Sequence, residues 1–330
     1  MVIGWDIGGA HLKAVRLDKV GCKVVQLACP LWKGLQYLEQ AVAEALNVLG
    51  DTHQHAITMT GELADIFPNR HQGVMQISQT MRKCLHEKDI RFYSVVGFVV
   101  PDEVEANTAH IASANWLASA QFVASKQANG VFVDVGSTTT DIVLLQDGQA
   151  KPQGLSDAER LSSDTLIYTG VVRTPVMAVV QRVPFNGQMQ RVAAEHFATM
   201  ADVYRLIGKL DAKYDLADTA DGQGKSQHDS ARRLARMLGR DFESVPMLAW
   251  QALAHFIANM QLQDVLTAVK VQVPTTLIGA GTGRFLVRDM AQRLKVTYVD
   301  FADLIEGDSD ARDAVAVCAP AYAVAYLARK

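Results

Sequence analysis

Two copies of one short pattern constrain how this chain of 330 residues can fold. The segment 131–145 reads VFVDVGSTTTDIVLL, which is an apolar run that carries an aspartate, a small polar turn and a second apolar run. The segment 5–17 reads WDIGGAHLKAVRL and has the same order 128 positions earlier, so that Asp6 falls on Asp134. Such an order predicts a strand, a tight turn and a returning strand. The sequence therefore predicts an internal repeat, with one hairpin in each half of the chain.

The turns of these hairpins have a composition that suits phosphate. A glycine opens each turn, and closely spaced backbone N–H groups there can face an anion. The residues with this expected role are Gly8, Gly9, His11, Gly136, Ser137, Thr138 and Thr139. Asp6 and Asp134 end the preceding strands, where they could hold a hydrated Mg²⁺ against phosphate oxygens. An ordinary hairpin with a polar tip is the alternative for the segment 131–145 taken alone.

A third glycine-rich turn, LIGAGTGRFL, spans 277–286 and contains Gly279, Gly281 and Gly283. It follows an apolar run and opens a helix-like segment, whose N–H groups and dipole could face an anion or a nucleotide. A Rossmann motif is a weaker interpretation, because no second nucleotide-binding motif accompanies the turn.

Composition narrows the class of protein. Hydrophobic residues make up 49% and charged residues 20%, which is ordinary for a soluble enzyme. The formal net charge of −3 provides no basic surface for nucleic acid or for an anionic membrane. No apolar run approaches the ~18–20 residues of a membrane span, and no signal peptide is visible, so we expect a cytoplasmic protein. Whether it forms a homo-oligomer is left open.

The length of the chain favours two domains. We predict an N-terminal half at 1–125 and a C-terminal half at 126–330, with a helical insertion at about 180–270. Periodicity predicts helices at Leu35–Leu49, Gly73–Leu85, Asn107–Ser125, Val245–Val269 and Asp310–Leu327, the last packing back on a sheet. Phe92–Val100 predicts a single strand, and the polar segment Asp215–His228 predicts a mobile lid or a disordered linker.

Polar residues outside the turns are candidates for substrate contacts, each with a structural alternative. Glu62 and Asp65 could share the first face of a helix above a cleft, or serve only the helix dipole. Asn115 is a weak helix former that could reach a substrate or cap its segment. Arg173 follows Tyr168 in a polar and β-prone stretch. Its planar guanidinium group could bind a phosphate through two hydrogen bonds, or the side chain could lie exposed at a strand edge.

Two Asp-x-Gly hairpins followed by a late Gly-x-Gly-x-Gly turn resemble the superfamily of acetate and sugar kinases, heat-shock chaperones and actin. The resemblance implies an α/β fold of two ribonuclease-H-like halves, as in actin-like ATPases, around a central cleft. It also implies that the first two turns are phosphate loops and that the third lies beside adenosine. ATP or ADP is therefore one expected ligand.

Several shorter phrases resemble one branch of this superfamily, the hydantoinase A/oxoprolinase-type family associated with tetrahydromethanopterin-linked C1 transfer. They are WDIGGAHLK at 5–13, MTGEL at 59–63, SANW at 113–116, YTG at 168–170 and RTP at 173–175. Archaeal relatives of that family are similar to a synthase of methanofuran biosynthesis. The resemblance extends to about Pro320 and covers most of the chain.

What this resemblance implies is a transferase of methanofuran- or methylofuran-type cofactor biosynthesis. An aminomethyl-furan-methanol diphosphate would condense with the phenol of a glutamyl-tyramine or a tyrosine, which forms an aryl ether and releases diphosphate. The phosphate loops would then bind a small phosphorylated substrate instead of ATP.

On this interpretation Asp6 and Asp134 orient Mg²⁺, and Lys13 neutralises charge on the leaving group. Asp141 or Glu62 would be the base for the phenol. The alternative is an ATP-dependent small-molecule kinase of the same superfamily, in which Gly279–Gly283 hold adenosine. A third interpretation, from another class, is a non-catalytic nucleotide-binding regulator.

Overall fold

Both predicted hairpins are present in the computed structural model, which describes residues 1–19, 21–86, 88–305 and 309–329. The strands are β1 (Val2–Ile7), β2 (His11–Leu17), β3 (Cys22–Ala28), β4 (Gln54–Met59), β5 (Asp89–Ser94), β6 (Gly97–Val99), β7 (Gly130–Val135), β8 (Thr140–Gln146), β9 (Gln149–Lys151), β10 (Leu166–Ile167), β11 (Arg182–Phe185), β12 (Gln188–Arg191), β13 (Thr276–Ala280) and β14 (Thr297–Asp300). The helices are α1 (Gln36–Leu49), α2 (Arg70–Cys84), α3 (Val104–Ile111), α4 (Asn115–Ala124), α5 (Asp157–Ser162), α6 (Val176–Val179), α7 (Met200–Leu206), α8 (Gln227–Arg236), α9 (Met247–Val271), α10 (Arg284–Leu294), α11 (Ser309–Val317) and α12 (Ala319–Ala328). The predicted α/β class is confirmed.

The strands form two main sheets. The first has the order β3-β2-β1-β4-β5-β6, in which β4 runs parallel to both β1 and β5. The second has the order β10-β8-β7-β13-β14, with β9 paired to β8. A separate two-stranded hairpin contains β11 and β12. The series β2-β1-β4-β5 corresponds to β8-β7-β13-β14, because each is a hairpin followed along the sheet by two later strands.

The repeat extends to the backbone of the turns. In the first turn the Gly8 N–H donates a hydrogen bond to the His11 carbonyl at 2.9 Å. In the second turn the Gly136 N–H donates to the Thr139 carbonyl, also at 2.9 Å. Gly8 and Gly136 are 128 positions apart, and so are His11 and Thr139, as the sequence alignment of the hairpins predicts.

Two compact units make up the chain. Unit 1 comprises Met1–Phe132, Val143–Arg160 and Asp300–Lys330. Unit 2 comprises Val133–Ile142 and Leu161–Val299. The C-terminal segment thus belongs to the same unit as the N-terminus. The predicted boundary between residues 125 and 126 refers to the two halves of a repeat, and it stays a prediction.

In unit 1 the C-terminal helix α12 packs on the first sheet, as predicted for the end of the chain. Gly4 of β1 lies against the Ala321 carbonyl so closely that a Cβ at Gly4 would overlap it. The alanine-rich sequence of α12 allows this approach because a small side chain leaves room for the strand. Aromatic rings close one end of the contact, where Phe122 packs on Tyr322 and Tyr326 with centroid distances of 5.1 and 4.9 Å.

Three predictions of continuous elements are wrong. The predicted helix Asp310–Leu327 is divided into α11 and α12, because α11 ends at Val317 and α12 begins at Ala319. Within the predicted strand Phe92–Val100, β5 ends at Ser94 and β6 begins at Gly97, whose φ of +120° favours glycine in this turn. The predicted helix Asn107–Ser125 is broken into α3 and α4, because Ser113 has a φ of +52° that no right-handed helix contains. Local turn conformation overrides periodicity at Gly97 and Ser113.

Ion pairs anchor the polar segment Asp215–His228 in unit 2. The Arg205 guanidinium of α7 donates to the Asp215 carboxylate at 2.6 Å, and Arg233 of α8 donates to Asp221 at 2.9 Å. Arg205 and Arg233 both also donate to Asp202. This network attaches the segment to two helices, which the interpretation as a lid or a linker did not anticipate.

The predicted long helix Val245–Val269 is confirmed as α9, which buries one face within unit 2. No helix among the described residues is both long enough and apolar enough to cross a membrane.

Candidate functional site

In unit 1 the first turn brings a carboxylate and an ammonium group together. Asp6 is 6% exposed near the end of β1, and the antiparallel register pairs it with Lys13 of β2. The Lys13 Nζ lies 4.0 Å from the Asp6 Oδ2. Aspartate is disfavoured inside a strand, and the neighbouring cation offsets part of the cost of burying its charge. The expected role of Lys13 at a leaving group stays a prediction.

The first turn keeps backbone donors available. A Cβ on Gly8 would lie 3.1 Å from the His11 carbonyl, whereas a Cβ on Gly9 would meet no atom within 4 Å. The N–H groups of Gly9 and Ala10 donate no hydrogen bond to any described residue. His11 opens β2 and is half-buried. Two neighbouring N–H groups that lack an acceptor are the arrangement in which a turn binds an anion.

Glu62 forms a buried pair with Ser113 in unit 1. It lies in a 3₁₀ turn, Gly61–Leu63, while Asp65 is exposed, so the predicted helix face shared by these two carboxylates is wrong. The Ser113 hydroxyl donates to the Glu62 Oε1 at 2.7 Å. The Glu62 Oε2 has no hydrogen-bond partner among the described residues. Burial at 1% exposure raises the pKa of Glu62 to about 7, although the Ser113 hydrogen bond and then the Arg70 charge act in the opposite direction.

In unit 2 the second turn repeats this arrangement. Asp134 is 8% exposed near the end of β7. The hydroxyl oxygens of Ser137 and Thr138 lie 3.4 Å apart, and both side chains are half-buried. The N–H groups of these two residues donate no hydrogen bond within the described part of the chain. The turn therefore offers two backbone donors and two hydroxyls to a ligand, beside a carboxylate.

The segment that follows β10 supports the second turn from behind. Val171 and Arg173 donate backbone hydrogen bonds to the carbonyls of Gly136 and Ser137, at 3.1 and 2.8 Å. Gly170 lies so close to the backbone of Ser137 and Thr138 that a Cβ would overlap it. Sequence reasoning quoted this glycine only as part of a family phrase and missed its function. Only glycine allows the two backbones to approach this closely.

The third glycine turn packs on the strand that carries Asp134. Gly281 has a φ of +82°, and a Cβ there would overlap the Asp134 Oδ1 and the Val135 carbonyl. The Gly283 N–H donates to the Val135 carbonyl at 2.8 Å, and Gly279 lies against Tyr298. These glycines bring β13 and α10 close to β7. Their expected contact with adenosine stays a prediction.

A cavity of about 490 Å³ lies beside this supporting segment in unit 2. Gln261 of α9 fixes its inner wall, because the Gln261 Nε2 donates to the Thr169 Oγ1 at 2.7 Å and to the Gly170 carbonyl at 2.9 Å. The Gln261 Oε1 accepts from the Tyr204 hydroxyl at 2.6 Å. Asp264, one helical turn further on, lines the same cavity. Sequence reasoning missed both α9 residues, although a glutamine on the buried face of an apolar helix was a usable signal.

The remaining predicted residues have varied surroundings. Tyr168 lines the cavity, and Arg173 is exposed at the end of the supporting segment. Asp141 is half-buried in β8, where the register pairs it with Leu166. The Asn115 Oδ1 accepts a hydrogen bond from the Trp116 N–H at 2.9 Å, but the N-cap of α4 is Ala114 and no side chain caps the helix, so the predicted cap at Asn115 is wrong. A contact of Asn115 or Arg173 with substrate stays a prediction.

A model of the family described as Hydantoinase/oxoprolinase matches residues 53–326. The chain belongs to the hydantoinase/oxoprolinase family. This confirms the resemblance seen in the sequence phrases. The match includes the Glu62 turn, the second hairpin with its supporting segment, and the third glycine turn. The hydantoinase/oxoprolinase family model thus covers the whole of the site described in unit 2.

Curated relatives of this hydantoinase/oxoprolinase member carry a specific name. A protein of Methanocaldococcus jannaschii is 28% identical over 331 aligned residues, which cover 100% of this chain and 98% of the relative. It is called (4-{4-[2-(gamma-L-glutamylamino)ethyl]phenoxymethyl}furan-2-yl)methanamine synthase. A protein of Methanococcus vannielii with the same name is 32% identical over 127 residues, or 38% of this chain and 57% of the relative.

Among solved structures, nucleotide-free acetone carboxylase aligns with 97% of this chain and 70% of its own at a TM-score of 0.59 and 9% identity. A likeness at this identity shows the fold alone. This chain therefore shares its fold with that structure, a ribonuclease-H-like α/β fold as the sequence predicts.

Proposed function

We propose that this hydantoinase/oxoprolinase member is a transferase of methanofuran-type cofactor biosynthesis that forms an aryl ether. One substrate is a furan that carries an aminomethyl group and a diphosphate-activated carbinol. The other is a phenol such as γ-glutamyl-tyramine or a tyrosine. The observation that carries this proposal is the full-length similarity to a synthase whose product name contains a phenoxymethyl link to a furan methanamine.

The reaction replaces one carbon–oxygen bond by another. The bond between the carbinol carbon and the diphosphate oxygen breaks, and the diphosphate leaves with the electron pair. The phenol oxygen forms the new bond to that carbon, and the phenol proton passes to a base. Because the furan ring stabilises positive charge on the carbon, the protein mainly needs to stabilise the leaving diphosphate and to exclude water.

The turns are suited to the leaving diphosphate. Within unit 2, the donors without an acceptor at Ser137 and Thr138 would donate to phosphate oxygens, and within unit 1 the donors at Gly9 and Ala10 form an anion site of the same kind. Charge that builds up on an oxygen is stabilised best by donors already oriented toward it. The supporting hydrogen bonds from Val171 and Arg173 hold the second turn in this conformation. A small phosphorylated ligand is therefore the substrate class that we propose.

Asp134 would hold Mg²⁺ beside the second turn in this reaction, and a role of Asp6 at the metal stays a prediction. Mg²⁺ takes one or two carboxylates, keeps several waters and completes its shell with substrate phosphates. The near-buried Asp134 beside the glycine turn of unit 2 fits such a donor set. The ion would supply charge neutralisation to the diphosphate when it is bound.

Asp141 is the better base for the phenol. It is half-buried in β8 directly after the second turn, so a phenol next to a bound diphosphate could reach it. Glu62 is 1% exposed, and Ser113 donates to one of its oxygens. The raised pKa of Glu62 suits a base near neutral pH, but its burial favours a positioning role.

The experiment is an incubation of the purified protein with Mg²⁺, γ-glutamyl-tyramine and the 2-aminomethyl-furan-4-methanol diphosphate, followed by mass spectrometry of the product. We expect the ether and one equivalent of diphosphate without ATP. Asp134→Asn keeps the shape of the side chain but removes its charge, so turnover should fall by roughly 10²-fold or more, and additional Mg²⁺ should restore part of it.

The matched control is Asp18→Asn, which lies outside both turns and should turn over like the wild type. Consumption of ATP with phosphorylation of an acceptor, and no ether, would support the kinase alternative instead. Wild-type turnover by Asp134→Asn would refute the role of this carboxylate.

A further inference from the structure

The cavity beside the supporting segment has the size and the lining of a small-molecule site. Its volume of about 490 Å³ is within the range of roughly 300–1,000 Å³ that ligand pockets occupy. Apolar groups from Ile167, Val179 and Met260 form part of its wall, together with the Tyr168 ring. Tyr168 is 52% exposed and Met260 is 39% exposed, so both side chains are accessible to a ligand in the cavity.

Short contacts connect this cavity to the second phosphate turn. Thr169 lines the cavity, and its neighbour Gly170 lies directly against the backbone of Ser137 and Thr138. Gln261 donates hydrogen bonds to both Thr169 and Gly170. The segment that forms one wall of the cavity therefore also supports the second turn, so the cavity and the turn are neighbours within unit 2.

One carboxylate at the cavity, that of Asp264, has no positive partner among the described residues. Asp264 lines the cavity and forms no hydrogen bond or ion pair with any described residue. Partial burial, followed by repulsion from Asp164, raises the pKa of its carboxyl above the usual value. Asp164 is itself held with a φ of +52°. A cation placed in the cavity would relieve the repulsion between these carboxylates.

The geometry also restricts which cation fits. Asp264 follows Gln261 by three residues on α9, so both side chains point to the same side of the helix. Gln261 is fixed by three hydrogen bonds, which orients the helix surface that presents Asp264. A flat ring can lie against Tyr168 and Met260 while an ammonium group on it reaches Asp264, and a tyrosine face attracts such a cation as well.

We propose that this cavity binds the aminomethyl-furan part of the diphosphate substrate, and that the Asp264 carboxylate pairs with its primary ammonium. The inference rests on the proposed function, since that function supplies a ligand with a diphosphate at one end and an ammonium at the other. The phenol substrate fits less well, because the ammonium of a γ-glutamyl group lies next to a carboxylate that Asp264 and Asp164 would repel.

Two small probes test this assignment without catalysis. Furfurylamine carries the aminomethyl-furan group, and furfuryl alcohol has the same ring without a charge. In calorimetric titrations we expect the wild-type protein to bind furfurylamine at least tenfold more tightly than furfuryl alcohol. Asp264→Asn should remove that difference, while Asp264→Glu should keep most of it because the charge is retained.

The matched control is Asp241→Asn, an exposed aspartate of unit 2 outside the cavity, which should bind furfurylamine like the wild type. Since Asp264 is at the surface of α9, its variants should melt at the wild-type temperature. Absence of furfurylamine binding, equal affinity for both probes, or unchanged affinity in Asp264→Asn overturns the inference. Displacement of furfurylamine by γ-glutamyl-tyramine assigns the cavity to the other substrate and also overturns it.

Kinetic measurements of ether formation distinguish a failure of this inference from a failure of the proposed function. In Asp264→Asn we expect the KM for the furan diphosphate to rise at least tenfold, while the KM for the phenol stays constant. Binding of furfurylamine through Asp264 in a protein that makes no ether would refute the proposed function alone. Ether formation with an unchanged KM in Asp264→Asn would refute the inference alone.

Discussion

At the scale of single residues, Glu62 shows how burial changes the chemistry of a carboxyl group. One of its oxygens accepts a hydrogen bond from Ser113, and the other has no partner among the described residues. Burial favours the protonated form, so the pKa rises from the model-peptide value of 4.5 to about 7. A protonated Glu62 can hold the turn after β4 in place without a buried charge.

This shift predicts a pH dependence of stability. Between pH 4.5 and about 7 the native protein keeps the Glu62 proton while the unfolded chain has lost it, so the free energy of unfolding should fall as the pH rises. A shift of this size corresponds to about 3 kcal/mol. Glu62→Gln removes the titration, and chemical denaturation across this pH range should then give a flatter profile than the wild type.

Asp65→Asn is the matched control for Glu62→Gln, because Asp65 follows the same turn but is exposed. The control should keep the pH profile of the wild type. If Glu62→Gln also keeps that profile, the pKa of Glu62 is not raised in the folded protein and the explanation through burial is wrong.

At the scale of elements, the ion network of α7 and α8 determines how the polar segment Asp215–His228 is held. Arg233 is fully buried and donates hydrogen bonds to Asp202 and Asp221. Arg205 connects Asp202 to Asp215. Removal of one member leaves the others as buried charges without a counter-charge, which costs more than the net contribution of the intact pair.

We therefore predict that Arg233→Met lowers the free energy of unfolding by roughly 3–5 kcal/mol. The segment should also become accessible, so limited proteolysis should cut within 215–228 faster than in the wild type. Arg232→Met is the control. Arg232 is the neighbour of Arg233 in the sequence, but it is half-buried and its ion pairs are longer than those of Arg233. Wild-type stability and a wild-type rate of cleavage in Arg233→Met would show that the network does not hold the segment.

The elements also show what the sequence could predict. The hairpins, α9 and α12 follow from strong local patterns, namely an aspartate and glycine turn between apolar runs, and long apolar periodicity. The breaks at Ser113 and Gly97 depend on single residues with positive φ, which hydrophobic patterns do not report. A segment such as Asp215–His228 looks solvated because its partners, Arg205 and Arg233, lie elsewhere in the chain.

The candidate site, like the elements, was predictable only where a local sequence pattern carries it. Asp134 and the residues of the second turn were found because they form one contiguous motif that repeats. Gly170, Gln261 and Asp264 were missed, because their relation to the turn arises from packing of α9 and the supporting segment. Sequence reasoning detects chemistry carried by neighbours in the chain, and it misses chemistry assembled from distant elements.

At the scale of the whole molecule, the two units carry turns of the same kind, which we propose to bind phosphate groups. Each unit contributes a glycine turn with two backbone donors and a nearby aspartate. Such a turn binds phosphate groups whether they are transferred or released, so the fold alone does not choose between a kinase and a diphosphate-releasing transferase. The choice depends on which bond of the phosphorylated substrate breaks.

An isotope label at that bond tests the central claim most directly. The furan diphosphate is prepared with ¹⁸O in the oxygen that joins the carbinol carbon to phosphorus, and is incubated with Mg²⁺ and γ-glutamyl-tyramine. If the protein forms the ether as proposed, mass spectrometry finds the ¹⁸O in the released diphosphate and none in the ether. Retention of ¹⁸O in a furan methanol, with the phosphate groups on another acceptor or in water, would contradict the account, because the phosphorus–oxygen bond would then have broken.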